Sequence, residues 1–119
     1  MTVTPEELAA SIDFLARRFG LSGYRNEATL REAAAEANAL TSTDPGAEPA
    51  AVFYALARRA RPLRDGWALV PDLVALNKAR AAGWTFSPEG LRALRLKVAT
   101  GAAEFPEVAA WFAARKRPI

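Results

Sequence analysis

None of the 119 residues is a histidine or a cysteine. Without cysteine there is no disulfide framework, thiolate nucleophile, zinc ribbon or iron–sulfur cluster. Without histidine there is no imidazole base, Ser-His-Asp triad or His-ligated metal. Side-chain chemistry is thereby confined to carboxylates, hydroxyls, lysine and arginine. Cysteine-free usage agrees with a reducing compartment, and a cytoplasmic location is expected. Long apolar runs are also missing. Nothing approaches the ~20 residues of a membrane helix, and no basic start leads into an apolar stretch, so no membrane association is expected.

What is present is 51% hydrophobic and 24% charged residues, the balance of one globular domain over residues 1–119 with a modest core of its own. Sixteen Lys and Arg against thirteen Asp and Glu leave a formal charge of +3, most of the positive side being arginine. Proteins that grip phosphate backbones show a denser basic stripe, so nucleic acid is not the expected partner.

Helix signals run along nearly the whole chain. Thr4-Pro5-Glu6-Glu7 reads as a capping box with proline at the first helical position, and Leu8, Ile12, Leu15 and Phe19 follow at helical spacing up to Gly20. Asn26 can cap a second helix with a narrow face of Leu30, Ala33, Ala34, Ala37 and Leu40. Thr41 to Glu48, rich in Ser, Thr, Asp, Pro and Gly, reads as a loop. A third helix from Pro49 turns Val52, Phe53 and Leu56 inward. Pro62 and Pro71 bracket a segment that reads as irregular, and Pro71 is expected to leave Val70 outside a helix ending at Gly83. Trp84-Thr85-Phe86 reads as extended, Ser87-Pro88 opens a helix carrying Leu91, Leu94 and Val98, and a last helix from Pro106 carries Val108, Trp111 and Phe112. The expected fold is all-α, a compact bundle of about six short helices.

The order of these elements and several local strings resemble the Fic/Doc family, most closely its small Doc-type toxins. Thr4-Pro5-Glu6-Glu7-Leu8 is similar to the family's opening Ser-Pro-Glu-Glu-Leu. Gly23-Tyr24-Arg25-Asn26-Glu27 with Leu30-Arg31-Glu32-Ala33-Ala34 resembles the region after its first helix. Val52-Phe53-Tyr54-Ala55-Leu56 precedes Arg61-Pro62-Leu63-Arg64-Asp65-Gly66 where the family has a helix and then its signature, His-x-Phe-x-Asp-Gly/Ala-Asn-Lys-Arg. Leu76 to Trp84, Lys97 to Gly101 and Glu107 to Trp111 are similar to its later helices, so the resemblance spans most of the chain.

The resemblance implies nucleotidyl or phosphoryl transfer to a protein hydroxyl with Mg²⁺ and ATP, a translation-related target, and an antitoxin partner that lays a helix over the active-site groove. The signature departs from that pattern. Position by position, the His falls on Arg61, the Phe on Leu63, the Asp on Asp65 and the Gly on Gly66; the Asn, Lys and Arg fall on Trp67, Ala68 and Leu69. Pro62, Asp65 and Gly66 alone match. Arginine, with a pKa above about 12, cannot take a proton at neutral pH, so the base is lost. The phosphate cradle loses both cations and, with Pro71 close by, its open helix N-terminus. No catalytic residue is therefore assigned, and neither Mg²⁺ nor ATP is expected to be held. The expectation is a degenerate Doc-like protein acting by protein binding.

Other groupings of residues have readings of their own. Arg58, Arg59, Arg61 and Arg64 could form an anion pocket for a nucleotide, a phosphorylated partner or nucleic acid. Alternatively, Arg58 and Arg59 complement a helix end and Asp65 pairs with Arg61 or Arg64. Asp65 and Asp72 could share a cation, but two carboxylates hold Mg²⁺ poorly without further ligands. Glu6-Glu7 reads as a charged first turn. Trp84 and Trp111 read as core anchors, and Trp67, at the old cleft, as a plug or a partner contact. Arg115-Lys116-Arg117 reads as a solvated helix end.

Overall fold

A computed structural model describes residues 3–20, 26–59 and 69–119. Its six α-helices among the described residues are α1 (Pro5–Phe19), α2 (Glu27–Thr43), α3 (Glu48–Arg58), α4 (Leu69–Ala81), α5 (Leu91–Ala99) and α6 (Phe105–Arg115). A 3₁₀ turn at Pro45–Ala47 joins α2 to α3, and the strands β1 (Trp84–Thr85) and β2 (Arg117–Pro118) pair antiparallel. The expected all-α bundle of six helices is what folds.

The first two helices start where side-chain oxygens can satisfy free N–H groups. Thr4 Oγ1 accepts from Glu7 N at 3.1 Å and Asn26 Oδ1 accepts from Thr29 N at 3.1 Å. The α1 start is further fixed by Asn38 on α2. Its Oδ1 accepts from Val3 N at 2.9 Å and its Nδ2 donates to Val3 O at 3.0 Å, a pairing across 35 residues that no local pattern announces. Gly20, with φ of 68°, ends α1 in the left-handed conformation that glycine adopts without penalty.

The interior is organised around α3, of which eight of eleven residues are buried. Helical spacing divides them between two clusters. Val52, Ala55 and Leu56 face the first, with Leu8, Ile12 and Leu15 of α1, Leu30, Ala33, Ala34 and Ala37 of α2, and Val70 and Val74 of α4. Ala50, Phe53 and Ala57 face the second, with Ala75 and Ala79 of α4, Trp84, Phe86, the α5 residues Leu91, Leu94 and Val98, and Val108 and Phe112 of α6. Small residues on α2, α3 and α4 let their axes approach closely, and the second cluster is filled instead by aromatic rings. Phe112 meets Phe53 edge-on at 5.4 Å and Phe86 at 4.9 Å between centroids, geometries that add to plain area burial.

Five local expectations are corrected. Val70 lies inside α4, not before it, and Pro71 is the third residue of that helix. Proline is tolerated in a first turn, whose N–H groups have no intrahelical acceptor, and burying Val70 in the first cluster outweighs the pre-proline bias. The loop expected from Thr41 begins later, because α2 runs to Thr43; there Thr41, Ser42 and Thr43 turn their hydroxyls back onto the carbonyls of Ala37, Ala39 and Leu40 within the helix instead of breaking it. The α5 helix starts at Leu91 rather than at Pro88, after Gly90 at φ of 86° makes the turn. Phe19, expected inward, is exposed, since the last turn of α1 lies at the edge of its seam with α4, where Phe19 lines an open rim rather than the core. The Arg115-Lys116-Arg117 run is more than a solvated end: Arg117 pairs with Thr85, Arg115 lies 4.2 Å from the Trp111 ring centroid and Lys116 5.2 Å from that of Trp84.

Candidate functional site

Of the large apolar side chains exposed among the described residues, Leu96 and Ile119 stand apart and the other three gather in one place. Phe14, Phe19 and Leu69 are 50%, 54% and 41% exposed, and all three line one cavity of about 320 Å³ between α1, α4 and the β1–α5 turn. Apolar side chains supply most of its wall, and the burial gradient gives it a shape. Leu15, Phe86 and Leu91 are buried and form the floor; Leu73 and Leu76 are half-buried on the side; Phe14, Phe19, Leu69 and Pro88 form the rim. Phe86 belongs equally to the aromatic cluster, so the floor is held by the core itself.

A second cavity of about 360 Å³ shares Phe14 and Leu73 with the first and is bordered by Glu7, Ala10, Ser11 and Asn77. Together they form a groove along the α1–α4 seam from Glu7 to Phe19, about 18 Å at the helical rise of ~1.5 Å per residue. One end is apolar and the other polar.

Among the described residues two charged side chains line the apolar end. Arg18 sits in the last turn of α1, 5.6 Å from the Phe19 ring centroid. Asp72 sits in the first turn of α4, where its Oδ2 accepts from Arg95 Nη1 of α5 at 2.5 Å while its Oδ1 is buried without a hydrogen-bond partner. Burial pushes the Asp72 carboxyl above its ordinary pKa of 3.8, against the lowering effect of the Arg95 hydrogen bond and charge. Below the polar end lies Lys78, 8% exposed, whose Nζ is 2.9 Å from Glu7 Oε2 and 4.0 Å from Glu48 Oε2. This ion pair ties α4 to α1 and α3. Glu7 thereby leaves the role of a capping-box partner and becomes a tertiary contact.

The residues singled out from the sequence fall in several places. Arg61, Pro62, Leu63, Arg64, Asp65, Gly66, Trp67 and Ala68 lie outside the described residues. Arg58 and Arg59 both bond the Glu36 carboxylate of α2; Arg59 also donates to Ala55 O at 3.0 Å, and Arg58 lies 5.3 Å from the Tyr54 ring centroid. Both guanidinium groups are thus engaged within the α2–α3 seam. Trp84 is buried and Trp111 half-buried in the second cluster. Leu69 is at the groove rim and Asp72 in its wall.

Of the signature positions that carry the implied Mg²⁺ and ATP site, Leu69 alone lies among the described residues, exposed beside Phe14 and Phe19 at the cavity rim, while Asp72 in the same wall holds Arg95. Among the described residues no group of three or more Asp and Glu is placed to hold a metal ion, and no helix is long and apolar enough to cross a membrane. Sequence reasoning missed the groove because Phe14 gave no separate signal and Phe19 read as core. The spacing of Phe14 and Phe19, on either side of the Leu15 stripe, was the available clue. Compared with models of known protein families and with curated proteins, the chain matches none.

Proposed function

We propose that this chain is a Doc-like, toxin–antitoxin-related cytoplasmic protein that acts by binding a protein partner and not as an AMP or phosphate transferase. The observation that supports this reading best is Leu69. Where the resembling signature ends in a phosphate-binding cation, this chain presents an exposed leucine that joins Phe14 and Phe19 around an apolar groove. At that position an apolar side chain stands where the resemblance implies a charge, and apolar grooves between helices accept amphipathic helices. The natural occupant on this reading is a helix of an antitoxin-like partner, seated along the α1–α4 seam.

The loss of activity follows from magnitudes. General base catalysis is worth ~10²–10⁴ in rate, and electrostatic clamping of the transferred group contributes several kcal/mol besides. With Arg61, Ala68 and Leu69 at the corresponding positions, both contributions are gone. The test is incubation of the purified protein with Mg²⁺, radiolabelled ATP and translation factors, beside induction of the protein in growing cells. The expected result is no labelled hydroxyl and no growth arrest. Stoichiometric labelling, or growth arrest abolished by Asp65→Ala, would overturn the proposal.

A further inference from the structure

We infer that the apolar end of the groove is a binding pocket for a small amphiphilic carboxylate, with a short aliphatic body in the cavity and its head on Arg18. The cavity, at about 320 Å³, is at the small end of the ~300–1,000 Å³ range of ligand pockets. Its walls come from three separate elements of the fold, and its floor residues Leu15, Phe86 and Leu91 are fixed by the core. A preformed apolar cavity of this kind favours an aliphatic chain over a polar or bulky polycyclic ligand.

The charges decide the head group. Among the described residues two charged side chains line the cavity, and they are not equivalent. Asp72 is bonded to Arg95 at 2.5 Å, so that pair presents no net charge, and the unpartnered Asp72 Oδ1 is closed off by burial and out of reach of a ligand. Among the described residues Arg18 remains as the cation on the rim, with its guanidinium over Phe19. A cationic head would meet Arg18 unfavourably and gain nothing from a neutralised Asp72. A carboxylate gains a charge-assisted hydrogen bond from a planar guanidinium matched to its geometry.

The inference concerns the free chain and does not depend on the proposed function: the carboxylate occupies the apolar end of the groove when no partner helix lies in it and competes with one that does, and binding is measured on the purified chain alone. The experiment is calorimetric titration with hexanoate, octanoate and decanoate, and with decanol and decylamine as the neutral and cationic counterparts, all kept below micelle-forming concentrations. Saturable one-to-one binding of decanoate is expected below millimolar. Affinity should rise about fourfold per methylene along the series while carbon is being buried, the equivalent of ~0.8 kcal/mol each. Decanoate should bind about five- to tenfold more tightly than decanol, with decylamine the weakest. Arg18→Ala, at an exposed position, should bring decanoate to the level of decanol and leave decanol unchanged. Leu73→Trp should fill the cavity and remove both. Equal affinity for the three heads, no effect of Arg18→Ala, or no saturable binding by any of them would overturn the inference; labelling by ATP, which tests the transferase question, would not.

Discussion

Lys78 offers the sharpest test of how this fold is held. Its Nζ reaches Glu7 of α1 at 2.9 Å and lies 4.0 Å from Glu48 of α3, whose Oε2 is buried with no hydrogen-bond partner. Replacing Lys78 by methionine keeps the aliphatic stem packed and removes only the charge. Glu48, 19% exposed at its side chain, is then left as a largely buried carboxylate without a counter-ion, whereas Glu7, 39% exposed, turns to water. Breaking a fully buried pair from one side costs ~3–5 kcal/mol, and the exposure of Glu7 lowers the expected loss to ~2–3 kcal/mol. Against the ~5–15 kcal/mol total of a small domain, that is a large fraction. Urea unfolding followed by tryptophan fluorescence measures it. Glu48→Gln in the Lys78→Met background should recover about half, because the charge that suffers is then gone, giving a coupling above ~1 kcal/mol in the double-mutant cycle. A Lys78→Met loss within ~0.5 kcal/mol of zero, or additive effects of the two substitutions, would refute the reasoning.

Three further outcomes are expected. Phe53→Ala should cost ~3–5 kcal/mol in the same unfolding assay, since its ring is fully buried where α3 meets the aromatic cluster, whereas Phe19→Ser should change stability by less than ~0.5 kcal/mol. Asn26→Ala should cost ~1 kcal/mol through loss of the α2 cap, and thermal unfolding of the variant against the parent checks it. Asp72 has a raised folded-state pKa, so its contribution to stability is fully present below the ordinary value of 3.8 and is lost as pH rises through the folded value. The stability of the parent relative to Asp72→Asn should accordingly fall between acid and neutral pH, and a flat difference in pH-dependent denaturation would remove that role from Asp72.

The helices with clear start signals were readable in the chain itself. Thr4 and Asn26 cap where their side chains can reach an N–H three residues on, and the inward stripes of α1, α3, α5 and α6 follow from spacing alone. Those are local consequences of the 3.6-residue repeat and of unsatisfied backbone groups. The same logic failed where a distant partner outweighed a local preference. Val70 is helical where it is buried in the first core cluster, and the C-terminal basic run found two tryptophan faces and an extended partner at Trp84–Thr85.

Composition by itself removed thiol, imidazole and disulfide chemistry from this protein, and periodicity by itself made it an all-α bundle, because both depend only on which residues are present and how they repeat. The tertiary structure decided which apolar residues were left over. Phe14 and Phe19 differ from Leu15 by position on one helix, yet Leu15 is buried in the first core cluster while the two phenylalanines stand beside Leu69 at the rim of a groove. The fates of Glu7, Arg58 and Asp72 were likewise set by Lys78, Glu36 and Arg95, each more than twenty residues away in the chain. Burial and charge pairing are properties of what packs opposite a residue, and that information exists only once the helices have met.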